Sequence, residues 1–111
     1  MSGAIEHVVV QVTTGSREEA ERIARGAVQQ RLAASAQVGR LDTWYRWEGE
    51  VREAEEHLVS LFTRRERFEA IARFVDEHHD YALPQVVAVP LCEGTPAFLR
   101  WIDDASRPAA P

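Results

Sequence analysis

The chain contains no lysine; all 13 of its basic residues are arginine. That absence excludes Schiff-base chemistry and the phosphate-binding lysine of a P-loop. There is one cysteine, Cys92, so no intramolecular disulfide can form and nothing points to an oxidising compartment. By type, Cys92 reads as a small buried apolar residue rather than a reactive thiol. No apolar run approaches the roughly 18 residues that cross a bilayer, and MSGAIEHVVV lacks the charged-then-apolar pattern of a secretion signal. A cytoplasmic protein without membrane contact is the expectation. The formal charge is −5 and no basic stripe offsets it, which argues against a nucleic-acid partner. No G-x-G-x-x-G, P-loop or H-E-x-x-H pattern is present. Ser35, within LAASAQ, lacks a nucleophile-elbow setting, and no base–nucleophile constellation is visible. The chain therefore does not read as an enzyme.

What it does contain is 45% hydrophobic and 28% charged residues over 111 positions, the profile of one ordinary globular domain. The expected boundaries are a single domain over 1–104 and a disordered tail over 105–111, where little is available to bury. The dominant feature is the stretch 37–63, which reads as two long strands folded about Glu48-Gly49-Glu50. Each arm is about twice the common strand length of five or six residues. Trp44, Tyr45 and Trp47 crowd the first arm beside the turn. Flanking helices this short cannot cover such a hairpin, so its aromatics are predicted to form a subunit interface.

Around the hairpin, β-branched residues at 5–13 predict a strand, with Val8, Val10 and Val12 on one face. Ser16 with Glu19 forms a capping-box pattern and opens a helix ending near Ala33. Thr63 with Glu66 repeats that pattern and predicts a second helix, closing near His78-His79-Asp80. Residues 85–92 form a fourth strand, with Pro90 marking an end or an edge. Thr95-Pro96 begins a short amphipathic helix bearing Phe98, Leu99, Trp101 and Ile102. The order βαββαβ plus a helix predicts an α+β fold, the ferredoxin-like split-βαβ arrangement. Both main helices should lie on one sheet face, leaving the other to a partner or to solvent.

Four histidines invite a metal reading. His57 shares strand spacing with Glu55 and Glu53, and imidazole with carboxylates suits copper or zinc; a solvated acidic face is the plainer account. His78 and His79, about 100° apart on a helix, would not chelate one ion, and a helix C-terminus explains a histidine without a metal. His79 is the stronger ligand candidate. Arg64 and Arg65, expected in the first turn of the second helix, could receive an anion; solvation or a neighbouring carboxylate is the plainer account of them. The glutamates of the hairpin tip read as solvated rather than as a catalytic acid–base pair.

Taken in order, the markers Thr13-Thr14, Arg31-Leu32-Ala33-Ala34, Trp47-Glu48-Gly49, Glu55-Glu56, His79-Asp80-Tyr81, Leu83-Pro84-Gln85, Val89-Pro90 and Leu99-Arg100-Trp101 resemble the CutA divalent-cation tolerance family, nearly end to end. The resemblance implies a ferredoxin-like homotrimer, similar to PII signalling trimers, with interlocked long hairpins and Trp44, Tyr45 and Trp47 at the interface. It also implies a non-enzymatic role in divalent-cation (copper) tolerance. No cofactor is required; a divalent metal ion such as copper would bind weakly near His79. The alternative is a sensor of a small anionic metabolite in an inter-subunit cleft near Tyr81, Arg64 and Arg65. The chain departs from the family pattern at Ser35, where a cysteine is common. It departs again at Ala82, which closes what is elsewhere His-Pro-Tyr-Glu, and at Gln85, where a glutamate is usual. Losing a thiolate and two carboxylates weakens any copper site.

Overall fold

A computed structural model of the chain describes residues 6–109. Its elements are β1 (His7–Thr14), α1 (Arg17–Gln29), β2 (Ser35–Trp47), β3 (Glu50–Arg64), a 3-10 turn (Arg65–Arg67), α2 (Phe68–His78), β4 (Val86–Pro90) and α3 (Pro96–Ala105). The four strands form one sheet in the order β2-β3-β1-β4, with every neighbouring pair antiparallel. This is the predicted ferredoxin-like arrangement, and Ile5, expected at the start of β1, lies outside the described residues. Period-two alternation turns Val8, Val10 and Val12 of β1 and Val59 and Leu61 of β3 to the helix side. There they meet Ala20, Ile23 and Ala27 of α1 and Ile71, Phe74 and Val75 of α2 in one buried core. Each fully buried valine or leucine there contributes about 1.5–3 kcal/mol of transfer free energy.

The hairpin turn is as short as a hairpin allows. Trp47 pairs with Glu50, leaving Glu48 (φ 52°) and Gly49 (φ 81°) as the two loop residues. Positive φ at both positions is what the right-handed twist of the flanking strands requires. β2 and β3 stay paired from Ser35↔Phe62 down to the turn, but the β1 ladder stops at Thr14↔His57. From Glu56 outward the hairpin is a two-stranded ribbon about 20 Å long at 3.3 Å per residue. The radius of gyration, 14.8 Å, exceeds the roughly 13 Å of a compact chain of this length, as a projecting ribbon demands.

Several boundaries differ from expectation for definite reasons. α1 ends at Gln29 rather than near Ala33, because Arg31 takes a left-handed φ of 61°. The Arg31 N–H then donates to Val28 O and the Leu32 N–H to Ala27 O, a Schellman cap built without glycine. Thr63 does not cap a helix. It lies inside β3, and its buried hydroxyl donates to Leu32 O at 2.7 Å. Arg64 therefore ends a strand, Arg65 opens a 3-10 turn, and neither sits in the first turn of α2. Cys92 is exposed because β4 closes at Pro90, leaving it in the following loop. Order also runs past position 104. Ala105 completes α3, Ser106 is fully buried with its hydroxyl on Ile102 O, and Arg31 donates to Arg107 O. The last two tail residues lie outside the described residues.

Candidate functional site

The C-terminal end of β1, the start of α1 and the loop after α2 converge, and two side chains bind them together. Ser16 caps α1 as its spacing predicts, accepting from the Glu19 N–H at 3.1 Å. The Glu19 side chain does not return to Ser16. It is buried, accepting from the Gly15 N–H at 3.2 Å and from the Asp80 N–H at 2.6 Å. The His79 ring is enclosed beside it. Its Nε2 lies 2.6 Å from Thr13 O, and its Nδ1 accepts from the Tyr81 N–H at 3.0 Å. A carbonyl only accepts and a peptide N–H only donates. The proton is therefore on Nε2 and the lone pair on Nδ1, so the 3.6 Å approach of Nδ1 to Glu19 is not an ion pair. Both nitrogens of His79 are spent on holding the 79–81 loop against β1.

That clasp presents Tyr81. Its ring packs at a tilt of 59° against His79 with centroids 4.8 Å apart, over Gly15, where an added Cβ would stand 3.1 Å from the phenol oxygen. The phenol donates to Glu56 Oε2 at 3.0 Å. Burial, first, and then the hydrogen bond and negative charge of Glu56 push the Tyr81 phenol up to about 12. From this pair a cavity of about 420 Å³ runs along the ribbon, lined by Thr43, Tyr45, Trp47, Arg46 and Arg52 on the hairpin and by Leu83 on the loop.

Arg64 and Arg65 are elsewhere. They line a cavity of about 1000 Å³ at the opposite end of β1, where Glu6, Glu66, Glu69 and Asp103 outnumber three arginines. Arg64 pairs with Glu66 at 3.0 Å and approaches Asp103 at 3.8 Å. Within one chain, then, Tyr81 and the two arginines do not form a single cleft. The strand-face set of Glu53, Glu55 and His57 is also divided: Arg40 holds Glu55 at 2.8 Å and keeps its carboxyl below the usual range. Among the described residues no group of three or more histidine, cysteine, aspartate or glutamate side chains could hold a metal ion. Trp44, Tyr45 and Trp47 are all exposed, Trp44 by 63%. Glu19 and Glu56 are the site residues that sequence reasoning missed. Glu19 carried a capping signal that hid its second role, and Glu56 looked like one more tip glutamate.

Comparison with known proteins agrees with this architecture. The family profile described as CutA1 divalent ion tolerance protein matches residues 8–105. The divalent-cation tolerance protein CutA of Thermus thermophilus is 39% identical over 95 residues, 85% of this chain and 92% of that one. Its counterpart from Archaeoglobus fulgidus is 35% identical over 98 residues, 88% of this chain and 96% of that one. The chloroplastic CutA of Arabidopsis thaliana is 33% identical over 96% of this chain, which spans 59% of that relative's length. Among solved structures, CutA1 from Oryza sativa superposes with a TM-score of 0.89 at 29% identity, covering 97% of this chain and all of that one. A structure from Archaeoglobus fulgidus, called a periplasmic divalent cation tolerance protein, superposes at 0.88 with 34% identity, over 91% and 99% of the two chains. Relatives named for chloroplast and periplasm mean that kinship alone does not fix a compartment. Sheet order, long hairpin and end-to-end sequence similarity agree: the chain belongs to the CutA1 divalent ion tolerance family.

Proposed function

We propose that this chain acts in divalent-cation tolerance as a non-enzymatic homotrimer held together by its hairpins. The observation that carries the assembly is the two-stranded ribbon beyond Glu56. An isolated two-stranded hairpin is marginal in water, and this one carries Trp44 on one face and Tyr45 and Trp47 on the other. Covering both faces calls for a partner that clasps the ribbon rather than one that lies flat against it. Light scattering at micromolar concentration is expected to give about three times the chain mass of 12.5 kDa. Trp44→Asp should shift the protein toward smaller species; a stable wild-type monomer would sink the reading.

A divalent ion such as copper reaches His79 only by displacing the Tyr81 N–H from Nδ1, so binding there is weak and coupled to opening of the 79–81 loop. The residues present do not make a ready site within one chain. Calorimetry with copper and with zinc, on wild type and His79→Ala, tests this; equal affinity in both proteins removes His79 from the account. The anionic-metabolite alternative has less support, since the cavity holding Arg64 and Arg65 is lined by more carboxylates than guanidiniums.

A further inference from the structure

Glu56 is the anomaly of this fold. It sits where β3 leaves the sheet to become the free ribbon, and it is only 6% exposed. A carboxylate offers about four lone-pair positions, and burying its charge is costly unless donors or a countercharge compensate. Among the described residues Glu56 has one hydrogen-bond donor, the neutral phenol of Tyr81 on Oε2, and no ion pair. Arg52, four pairs along the ribbon, is not its counterion; it reaches toward the tip, 3.4 Å from Glu48 and 3.7 Å from Glu50. The carboxyl group lines the cavity that Tyr81, Tyr45 and Leu83 also wall. At about 420 Å³ this space falls within the range of small-molecule sites. A buried carboxylate with a single neutral donor, in the wall of a cavity that the apolar Leu83 also lines, is the chemistry that recognises an organic cation. The negative group neutralises the ligand's charge, and the apolar wall takes its stem.

We propose that the inner end of this groove is a binding site for a small organic cation, an alkylammonium or alkylguanidinium, with its charge at Glu56 and its stem along Leu83. A second copy of the chain is the competing source of such a group. Because the chain has no lysine, the side chain such a copy would offer is the guanidinium of an arginine or a protonated histidine. The site is independent of the metal question, since it does not involve the ring nitrogens of His79.

The test is a chemical-shift titration of the full chain with n-butylammonium and n-butylguanidinium chlorides at fixed ionic strength, with butyrate and n-butanol as the anionic and neutral probes. Saturable shifts at Glu56 and Tyr81 with the two cations are expected, and neither butyrate nor n-butanol should match them. Glu56→Gln keeps an acceptor for the Tyr81 phenol and should weaken binding at least tenfold. Leu83→Ala, on the exposed loop and outside the core, should weaken it a few-fold, and it decides the matter if Glu56→Gln fails to fold. Equal binding to Glu56→Gln, equal binding of n-butanol, or no saturation by tens of millimolar cation overturns the proposal. If wild type ignores every probe while Glu56→Gln lowers the mass in light scattering, the cation comes from a second copy, and the free-ligand site is wrong.

Discussion

The Tyr81 phenol donates to Glu56 Oε2 at 3.0 Å, joining the loop after α2 to the root of the hairpin. Burial and then Glu56 raise this phenol from 10.0 to about 12. A raised folded-state pKa contributes stability that is complete below the unfolded value and is lost as pH climbs through the folded one. Wild type should therefore lose more stability than Tyr81→Phe between about pH 10 and 12 when denaturation is followed across that window. Glu56→Gln removes the negative charge but not the burial. Ultraviolet titration should then find the Tyr81 phenol lowered, yet still above its ordinary value. An unchanged titration would mean that burial alone sets it.

Glu19 carries more of the site than its position in the first turn of a helix suggests. Removing its carboxylate orphans two half-buried donors, the N–H groups of Gly15 and Asp80, and each such loss costs about 1–3 kcal/mol. Glu19→Ala should destabilise the protein by about 2 kcal/mol or more in urea denaturation and loosen the 79–81 loop in hydrogen exchange. Glu18→Ala, one position earlier and exposed, should fall within about 0.5 kcal/mol of wild type. Similar costs for the two would show that Glu19 only serves the helix dipole.

The parts of the fold that follow from short-range pattern were legible in the sequence. Alternating valines marked β1, Gly49 marked the turn, and the length of the hairpin announced a ribbon that runs out past the rest of the sheet. What was not legible depended on contacts distant in sequence. Thr63 matched a capping box, but its hydroxyl is taken by Leu32 O, 31 positions away, so the strand runs on. His79 looked like a free ligand because nothing local reveals that Thr13 O and the Tyr81 N–H occupy its two nitrogens. Glu56 lies in a run of glutamates, and only the passage of the 79–85 loop over the root of β3 separates it from them.

Arg31 shows how one residue can be held in a strained conformation by its side chain. Its φ of 61° costs about 1–2 kcal/mol for a residue bearing a Cβ. The guanidinium donates to Arg107 O at 2.8 Å and Asp104 O at 3.0 Å, closing the C-terminal end of α3. Arg31→Ala loses those bonds and keeps the strain, whereas Arg31→Gly loses the bonds and relieves it. The glycine variant should be more stable than the alanine variant by about 1 kcal/mol in thermal or chemical denaturation. The opposite order would place the importance of Arg31 elsewhere than its backbone.

Gly26 sets two established rules against each other. It lies mid-helix in α1, where alanine is favoured by about 0.5–1 kcal/mol. A Cβ at this position, however, would come within 2.6 Å of Phe74 Cζ on α2. That ring cannot retreat freely, because His78 stacks on it at 4.3 Å. Overpacking of this kind costs about 1–3 kcal/mol, so the clash should win and Gly26→Ala should destabilise by about 1 kcal/mol. The decisive measurement is the double-mutant cycle with Phe74→Leu. With the ring gone, Gly26→Ala should become neutral or stabilising. If it costs the same in both backgrounds, the close approach of α1 and α2 is not what requires glycine there.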